Sequence, residues 1–251
     1  MDPLELVALC AWCFAVALTG GLVGLVLGNI RLPVVLLVAT GPAAGAGANI
    51  GISGIAALTA AATHVRAGRV NWRLFAWMAP PSMAGAVAGG YLSGAIPDDA
   101  LLLVIGAVLA FFGFDLLRPS RGEPEARTPR PALDVRAAVL TGAVIGVLGG
   151  LVGLILGSLR MPALLRYVGE VPGRAVGTNL AVGVCVGLAG VVGHTPAGVD
   201  WEVLAAGSAA SVPGALLGAR LTGRLSERQL LRAIGAVLIV AGLATAAQAV
   251  W

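Results

Sequence analysis

Long apolar segments, separated by short polar or glycine-rich stretches, fill almost the whole chain. Each segment holds about 20 residues or more, which is the length that a helix needs to cross the hydrocarbon core of a bilayer. The pattern predicts an all-α polytopic membrane protein. Its helical segments are 4–28, 32–65, 72–96, 99–118, 135–157, 161–193, 202–222 and 228–250.

Two stretches of the chain have nearly the same sequence. Residues 20–33 read GGLVGLVLGNIRLP and residues 149–162 read GGLVGLILGSLRMP, with ten of fourteen positions identical at an offset of 129. Such self-similarity indicates a duplicated unit of four segments. We therefore predict a first transmembrane repeat at 1–118 and a second at 135–251, joined by a polar linker at 119–134 that is rich in proline and arginine.

The second segment of each repeat is interrupted. In the first repeat the break is Gly41-Pro42, and in the second it is the glycine-rich stretch 169–173. A break at membrane depth frees backbone N–H and C=O groups, which is tolerated only where protein or a water-filled cavity covers them. We therefore predict that each second segment is broken and re-entrant, and that a binding site lies at the breaks.

Arginine alone supplies the positive charge: 16 arginines face 12 acidic residues, for a net charge of +4. If each repeat crosses four times, eight arginines fall on each face. If each broken segment returns to its own face, the repeats are inverted and the split is thirteen to three, with Arg160, Arg166 and Arg174 in the minority. Arginine excess marks the cytoplasmic face. We prefer the inverted topology, although residues 46–65 would rise about 30 Å as a helix and could cross unaided.

This topology predicts a multi-pass protein of the cell (inner) membrane, with both termini outside and the linker in the cytoplasm. Hydrophobic residues make up 58% of the chain and charged residues 11%, and the mean hydropathy is +0.95. The lipid bilayer is therefore the expected surrounding, and a large soluble domain is excluded. The dispersed arginines give no clustered basic face for nucleic acid.

The sequence contains none of the motifs on which common enzyme classes depend. It has no buried carboxylate pair, no Ser/His/Asp set, no zinc-binding H-E-x-x-H and no nucleotide-binding glycine loop. We expect no catalytic residue, no metal and no cofactor.

Glycines recur at four-residue spacing on several segments. Small residues at this spacing let helices approach closely in lipid. We interpret them as packing faces, and we also expect a homodimer through such glycine-rich helix faces. The positions are Gly20, Gly24 and Gly28, Gly149, Gly153 and Gly157, Gly85 and Gly89, and Gly214 and Gly218.

Arg31 and Arg160 occupy equivalent positions of the repeat, two residues before a proline. The inverted topology puts them on opposite faces, so an orienting role does not explain both. One interpretation is that they attract or gate an anion at a pore mouth. The other is that they bond neighbouring loop carbonyls, and the sequence leaves both open.

Asn49 and Asn179 lie in similar Gly-x-Asn contexts near the start of the second run of each broken segment. In secondary transporters the N–H groups of a half-helix tip attract an anion. The alternative for each asparagine is a hydrogen bond between helices. We predict one central anion site lined by Asn49, Ser53, Thr178, Asn179, Gly47, Gly177, Arg31 and Arg160.

His64 and His194 lie near the ends of the two broken segments. The simpler interpretation is hydrogen bonding at the membrane interface. The other is proton coupling or gating, because histidine titrates near physiological pH.

Several motifs together resemble the sulfite exporter TauE/SafE family of membrane permeases. The second repeat carries them best, with AVGTNL at 175–180, GVDW at 198–201 and a glycine-rich helix at 214–220, while the first repeat keeps VNW at 70–72. The resemblance covers nearly the full chain. It implies secondary transport of a sulfur-containing oxyanion such as sulfite, thiosulfate or an organosulfonate.

The resemblance and the predicted anion site lead to one hypothesis. The protein exports a small anionic substrate by alternating access, while two inverted repeats rock or gate around a fixed site. An anion channel and an uptake permease for another small anion are the alternatives.

Overall fold

Ten α-helices and no strand make up the parts of the chain that the structure describes. The structure is a computed structural model that describes residues 2–91, 98–117, 134–152, 155–166, 168–194 and 198–248. The helices are α1 (Pro3–Val23), α2 (Gly28–Val38), α3 (Pro42–Arg66), α4 (Trp72–Tyr91), α5 (Asp98–Leu117), α6 (Val135–Val152), α7 (Gly157–Arg166), α8 (Pro172–His194), α9 (Trp201–Thr222) and α10 (Glu227–Gln248). The predicted linker lies outside the described residues except for Asp134.

Five of the described helices, namely α1, α3, α8, α9 and α10, are long and apolar enough to cross a membrane. Local signals explain some of their boundaries. Asp2 and Glu5 form a capping box at the start of α1, and Gly24 ends that helix in the left-handed conformation, with φ 71°. Asp200 caps α9. The predicted fold class, an all-helical multi-pass membrane protein, is confirmed.

α3 and α8 cross at the centre of the molecule and run in opposite directions. Gly54 faces Gly187 so closely that a Cβ atom on Gly187 would lie 3.0 Å from the Gly54 Cα. His64, near the end of α3, lies beside Gly177, near the start of α8. Residue numbers therefore rise along one helix as they fall along the other.

The remaining long helices pair across the two halves of the chain. α1 lies along α9 and α6 along α4, each pair parallel, while α5 lies antiparallel to α10. Glycines form these contacts: Gly214 meets the α1 backbone at Leu18, and Gly146 of α6 meets the backbone of Ser82 in α4. The predicted packing role of Gly214 is thus visible within one chain. A homodimer through glycine-rich faces stays a prediction.

The two ends of α9 define two ends of the molecule. Where α9 ends, the Thr222 hydroxyl donates to the carbonyl of Leu22, near the end of α1 (2.8 Å). Where α9 begins, Asp200 accepts a hydrogen bond from the N–H of Thr40, just before α3 (3.0 Å). We call the end of the molecule where α9 ends the Arg69 end, after a residue of the adjacent loop. The end where α9 begins is the Asp200 end.

The chain between α1 and α3 covers the whole distance between these two ends. α9 has 22 residues, so the ends lie about 33 Å apart. Residues 24–27 leave the Arg69 end as a buried, non-helical stretch, and the 11-residue helix α2 continues to the Asp200 end. The sequence prediction differs in two respects. The predicted segment 4–28 is divided at Gly24. α3 is a full-length helix of 25 residues that runs from the Asp200 end to the Arg69 end, so it crosses the molecule and is not the re-entrant segment that the sequence predicts.

Most arginines lie at one end of the molecule. Since α8 runs opposite to α3, the end of α7 and the start of α8 are at the Arg69 end, so Arg166 and Arg174 do not belong to a minority on the other face. None of the described arginines lies at the Asp200 end, and Arg31 and Arg160 are buried. The described arginines of the Arg69 end are at positions 66, 69, 73, 136, 166, 174, 220, 224, 228 and 232.

Candidate functional site

Arg31 is enclosed between α2 and α3, and its side chain is 2% exposed. Its Nε donates to the Asn49 side-chain oxygen (2.9 Å), and its Nη2 donates to the Asn49 carbonyl (3.1 Å) and to the Ser53 hydroxyl. The Asn49 amide donates in turn to the carbonyl of Gly28, the first residue of α2 (3.1 Å). Asn49 therefore holds both the guanidinium and the start of α2.

Arg160 forms a second pair of the same kind between α7 and α8. It is 1% exposed, and its Nη1 donates to the Asn179 side-chain oxygen (3.2 Å). The Asn179 amide donates to the carbonyls of Gly157, the first residue of α7 (2.8 Å), and of Gly24, just after α1 (2.6 Å). Among the described residues, the Nε of Arg160 has no hydrogen-bond partner.

The two guanidinium charges have no carboxylate partner in the described ranges. The titratable side chains beside them are the thiols of Cys13, near Arg31, and Cys185, near Arg160, and a thiol is mostly uncharged at neutral pH. Arginine keeps its proton when buried, and enclosing a charge without a counter-charge costs on the order of several kcal/mol. An anion bound at these positions would offset part of that cost.

A small cavity lies beside Arg31. Its volume is about 20 Å³, which is room for about one water molecule. Arg31 and Ser53 supply its polar side chains, and the rest of its lining comes from residues 25–27, from apolar and glycine residues of α1 and α3, and from Leu180 of α8. The N-terminus of α2 begins at this cavity, where Leu27 has no side-chain group to cap it. Uncapped N–H groups and a buried cation make this an environment that favours an anion.

The helix tips near the two asparagines differ from those that the sequence predicts. Asn49 and Asn179 are the eighth residues of α3 and α8, which begin at Pro42 and Pro172, so each lies about 10 Å inside its helix. The prediction that they stand at half-helix tips is wrong in position. The helix N-termini that they contact are those of α2 and α7. In the sequence, no capping residue precedes either of these helices.

Gly47, Gly177 and Thr178 pack against loops rather than around the cavity. A Cβ atom on Gly47 would lie 2.8 Å from the carbonyl oxygen of Gly198, in the loop before α9. Gly177 packs in the same way against the loop after α3. The Thr178 hydroxyl accepts the N–H of Asn71, before α4 (2.9 Å). The structure therefore brings Arg31, Asn49 and Ser53 together. Gly47, Gly177 and Thr178 lie away from that group.

Two loop residues that the sequence prediction missed join the repeats, one at each end. Asp200 accepts hydrogen bonds from the N–H groups of Thr40 (3.0 Å) and Val203 (3.1 Å), linking the start of α3 to α9. At the Arg69 end, the Asn71 amide donates to the carboxylate of Glu170, ahead of α8. The signal in the sequence was an Asp or Asn directly before a tryptophan that begins a helix, a typical N-cap position.

The loop position of Asp200 sets its charge. Burial alone would raise the pKa of its carboxyl group, but the N–H groups of Thr40 and Val203 stabilise the carboxylate, and the pKa lies below its ordinary value. Asp200 is therefore charged at neutral pH, and the Asp200 end carries a buried negative group.

His64 is fully buried near the end of α3. The backbone of Gly21 lies beside the imidazole, yet neither ring nitrogen makes a hydrogen bond of acceptable geometry within the described part of the chain. Arg69 is the charged group near the ring, and its backbone N–H donates to the His64 carbonyl (2.8 Å). His194 is the last residue of α8, and its side chain lies outside the described residues.

Comparison with known proteins identifies similar chains. The family model described as sulfite exporter TauE/SafE matches residues 9–245. The probable membrane transporter protein YjnA of Bacillus subtilis is 27% identical over 243 residues, which cover 89% of this chain and 94% of the relative. A probable membrane transporter protein of Xylella fastidiosa is 27% identical over 239 residues, which cover 89% of this chain and 90% of the relative. No solved structure matches significantly.

Proposed function

Because the chain belongs to the sulfite exporter TauE/SafE family of membrane transporters, we propose that it exports a small sulfur-containing oxyanion by a secondary mechanism. Sulfite, thiosulfate and organosulfonates are the substrates that the proposal covers. The transporter role follows from the family, and the substrate class and the direction are the proposed parts.

One observation carries the proposal: the buried guanidinium of Arg31 faces a cavity at the uncapped N-terminus of α2. A cation with no carboxylate partner among the described residues is costly in an apolar protein interior. An oxyanion offers several acceptor oxygens to the guanidinium, the Ser53 hydroxyl and the first N–H groups of α2. Arg160 and the start of α7 supply a related arrangement in the second repeat.

The proposed cycle requires the cavity to change size. Room for about one water molecule is too small for an oxyanion, so binding needs a wider state. Residues 25–27 are non-helical and form part of the cavity wall, so they can shift without breaking a helix. Two repeats of opposite direction, moving around the arginine–asparagine pairs, would expose the site to one face and then to the other.

The proposed orientation places the Arg69 end in the cytoplasm of the cell (inner) membrane. All described arginines except the two buried ones lie at that end, and arginine-rich loops are retained on the cytoplasmic face. The termini and the Asp200 end are then outside. Export means that the oxyanion reaches Arg31 from the Arg69 end.

Sulfite flux in proteoliposomes tests the proposal. We expect saturable flux in the wild type, and a fall of roughly tenfold or more in Arg31→Gln, since a hydrogen bond to a charged group contributes about 1.5–3 kcal/mol. Arg66→Gln, which replaces an exposed arginine at the Arg69 end, should transport normally. Unchanged flux in an Arg31→Gln/Arg160→Gln double variant would contradict the site, and flux without saturation would indicate a channel.

A further inference from the structure

His64 lies between the Arg31 cavity and the Arg69 end of the protein. Gly21 lines the cavity, and its backbone also lies beside the His64 imidazole. On the other side of His64, α3 ends within one turn and the chain turns back to Arg69, whose backbone N–H donates to the His64 carbonyl. A solute that moves from this end to Arg31 along α1 and α3 therefore passes His64.

The side chains at this position have unused polar atoms. Within the described residues, both ring nitrogens of His64 and the Nη1 of Arg69 are buried and lack a hydrogen-bond partner. The Nη2 of Arg69 makes one long bond, to the carbonyl of Ala219 (3.4 Å). Buried polar atoms are nearly always paired in proteins, so these three atoms are suited to binding an added partner. Since Arg69 can only donate, that partner is an acceptor.

The charged groups described around His64 would not repel a bound anion. Arg69, on the loop after α3, is the charged group that acts on the imidazole. α1 and α8 present Gly21 and Gly177 at this point, and neither carries a charge. The acid that precedes α8, Glu170, is held by the amide of Asn71 and lies 3.8 Å from Arg174.

We propose that His64 and Arg69 form an anion-binding station at the Arg69 end, which the oxyanion occupies on its way to the Arg31 cavity and which is strengthened when His64 takes up a proton from water. The inference rests on the proposed function and adds a second position and a proton dependence to it. Protonation makes both ring nitrogens donors and adds a second cation beside Arg69. Anion binding is then linked to the uptake of one proton.

Calorimetric titration of the full-length wild-type protein in nanodiscs with methanesulfonate tests this station. Methanesulfonate stays a monoanion, so any pH dependence belongs to the protein. We expect the affinity to rise by up to tenfold per pH unit as the pH falls below about 6.5, the ordinary histidine value, because one linked proton gives that slope. Repeating the titration in buffers of different ionisation enthalpy should show about one proton taken up per anion bound.

Variants separate His64 from general charge effects. His64→Gln should bind methanesulfonate at low pH no more tightly than at high pH, whereas Arg66→Gln, which replaces an exposed arginine two residues further along the chain, should keep the wild-type slope. Wild-type binding that is independent of pH would overturn the station and leave the Arg31 site standing, and that measurement needs no variant to fold. A full slope in His64→Gln would also overturn it. Failure of the wild type to bind at any pH would overturn the proposed function itself.

Discussion

Asn49 illustrates how one side chain can hold a buried cation and a helix start at once. Its oxygen atoms accept from Arg31, and its amide donates to the first carbonyl of α2. The sequence identified both residues and left two roles open for each. It could not show that they bond to each other, because that contact depends on α2 folding back along α3.

Replacing Asn49 with leucine should leave the Arg31 guanidinium poorly paired. We expect Asn49→Leu to lower the free energy of unfolding by about 1.5–3 kcal/mol, the contribution of hydrogen bonds to a charged group. Thermal unfolding of the purified protein in detergent would measure this. The double variant Asn49→Leu/Arg31→Met should recover part of the loss, since the charge is gone. Simple addition of the two single losses would argue against the coupling.

Asp200 predicts a pH dependence of stability. The pKa of its carboxyl group is lower in the folded protein than in the unfolded chain, so its contribution is fully present above the unfolded value of about 3.9 and is lost as the pH falls through the folded value. Thermal unfolding should therefore show acid destabilisation below about pH 4. Asp200→Asn keeps an N-cap acceptor but not the charge, so its stability should change less over the same range. Identical acid profiles would contradict this assignment.

At the scale of helices, the sequence predicted the long elements and missed the division at residues 24–27. A continuous apolar run gives no periodic signal at a break, and here the break depends on Gly24 in the left-handed conformation. In the sequence, the same glycine fits the four-residue spacing of a helix-packing face equally well. The breaks at Gly41-Pro42 and 169–173 were visible because proline and clustered glycines interrupt helices.

Glycine contacts between helices give a prediction for α9. A Cβ atom on Gly214 would overlap the α1 backbone at Phe14, whereas a Cβ atom on Gly173 of α8 meets nothing within 4 Å. Gly214→Ala should therefore destabilise the protein by about 1–3 kcal/mol through overpacking. Gly173→Ala should be neutral or slightly stabilising, because alanine favours helix. Thermal unfolding of the two variants side by side checks this, and equal stability would contradict the close α1–α9 contact.

At the scale of the whole molecule, helix directions connect the fold to transport. α3 and α8 hold equivalent places in the two predicted repeats and run in opposite directions, as do α5 and α10. Each of these oppositely directed sets contains one arginine–asparagine pair, Arg31 with Asn49 in the first and Arg160 with Asn179 in the second. The sequence predicted inversion from arginine counts alone. It misplaced Arg166 and Arg174, because the path of residues 24–38 and of α7 through the molecule is set by tertiary packing.

The helix directions predict which loops share a membrane face. Ala67, after α3, and Arg224, after α9, are exposed at the Arg69 end, and Glu202, in the first turn of α9, is exposed at the Asp200 end. In a background with Cys10, Cys13 and Cys185 replaced by alanine, Ala67→Cys and Arg224→Cys should react with a membrane-impermeant maleimide in inside-out vesicles. Glu202→Cys should react in intact spheroplasts, since arginine-rich loops stay in the cytoplasm.

Labelling of positions 67 and 202 from the same face would refute the inverted arrangement. Labelling from opposite faces in the reverse sense would keep the inversion and place the Arg69 end outside, which would reverse the route proposed for the anion.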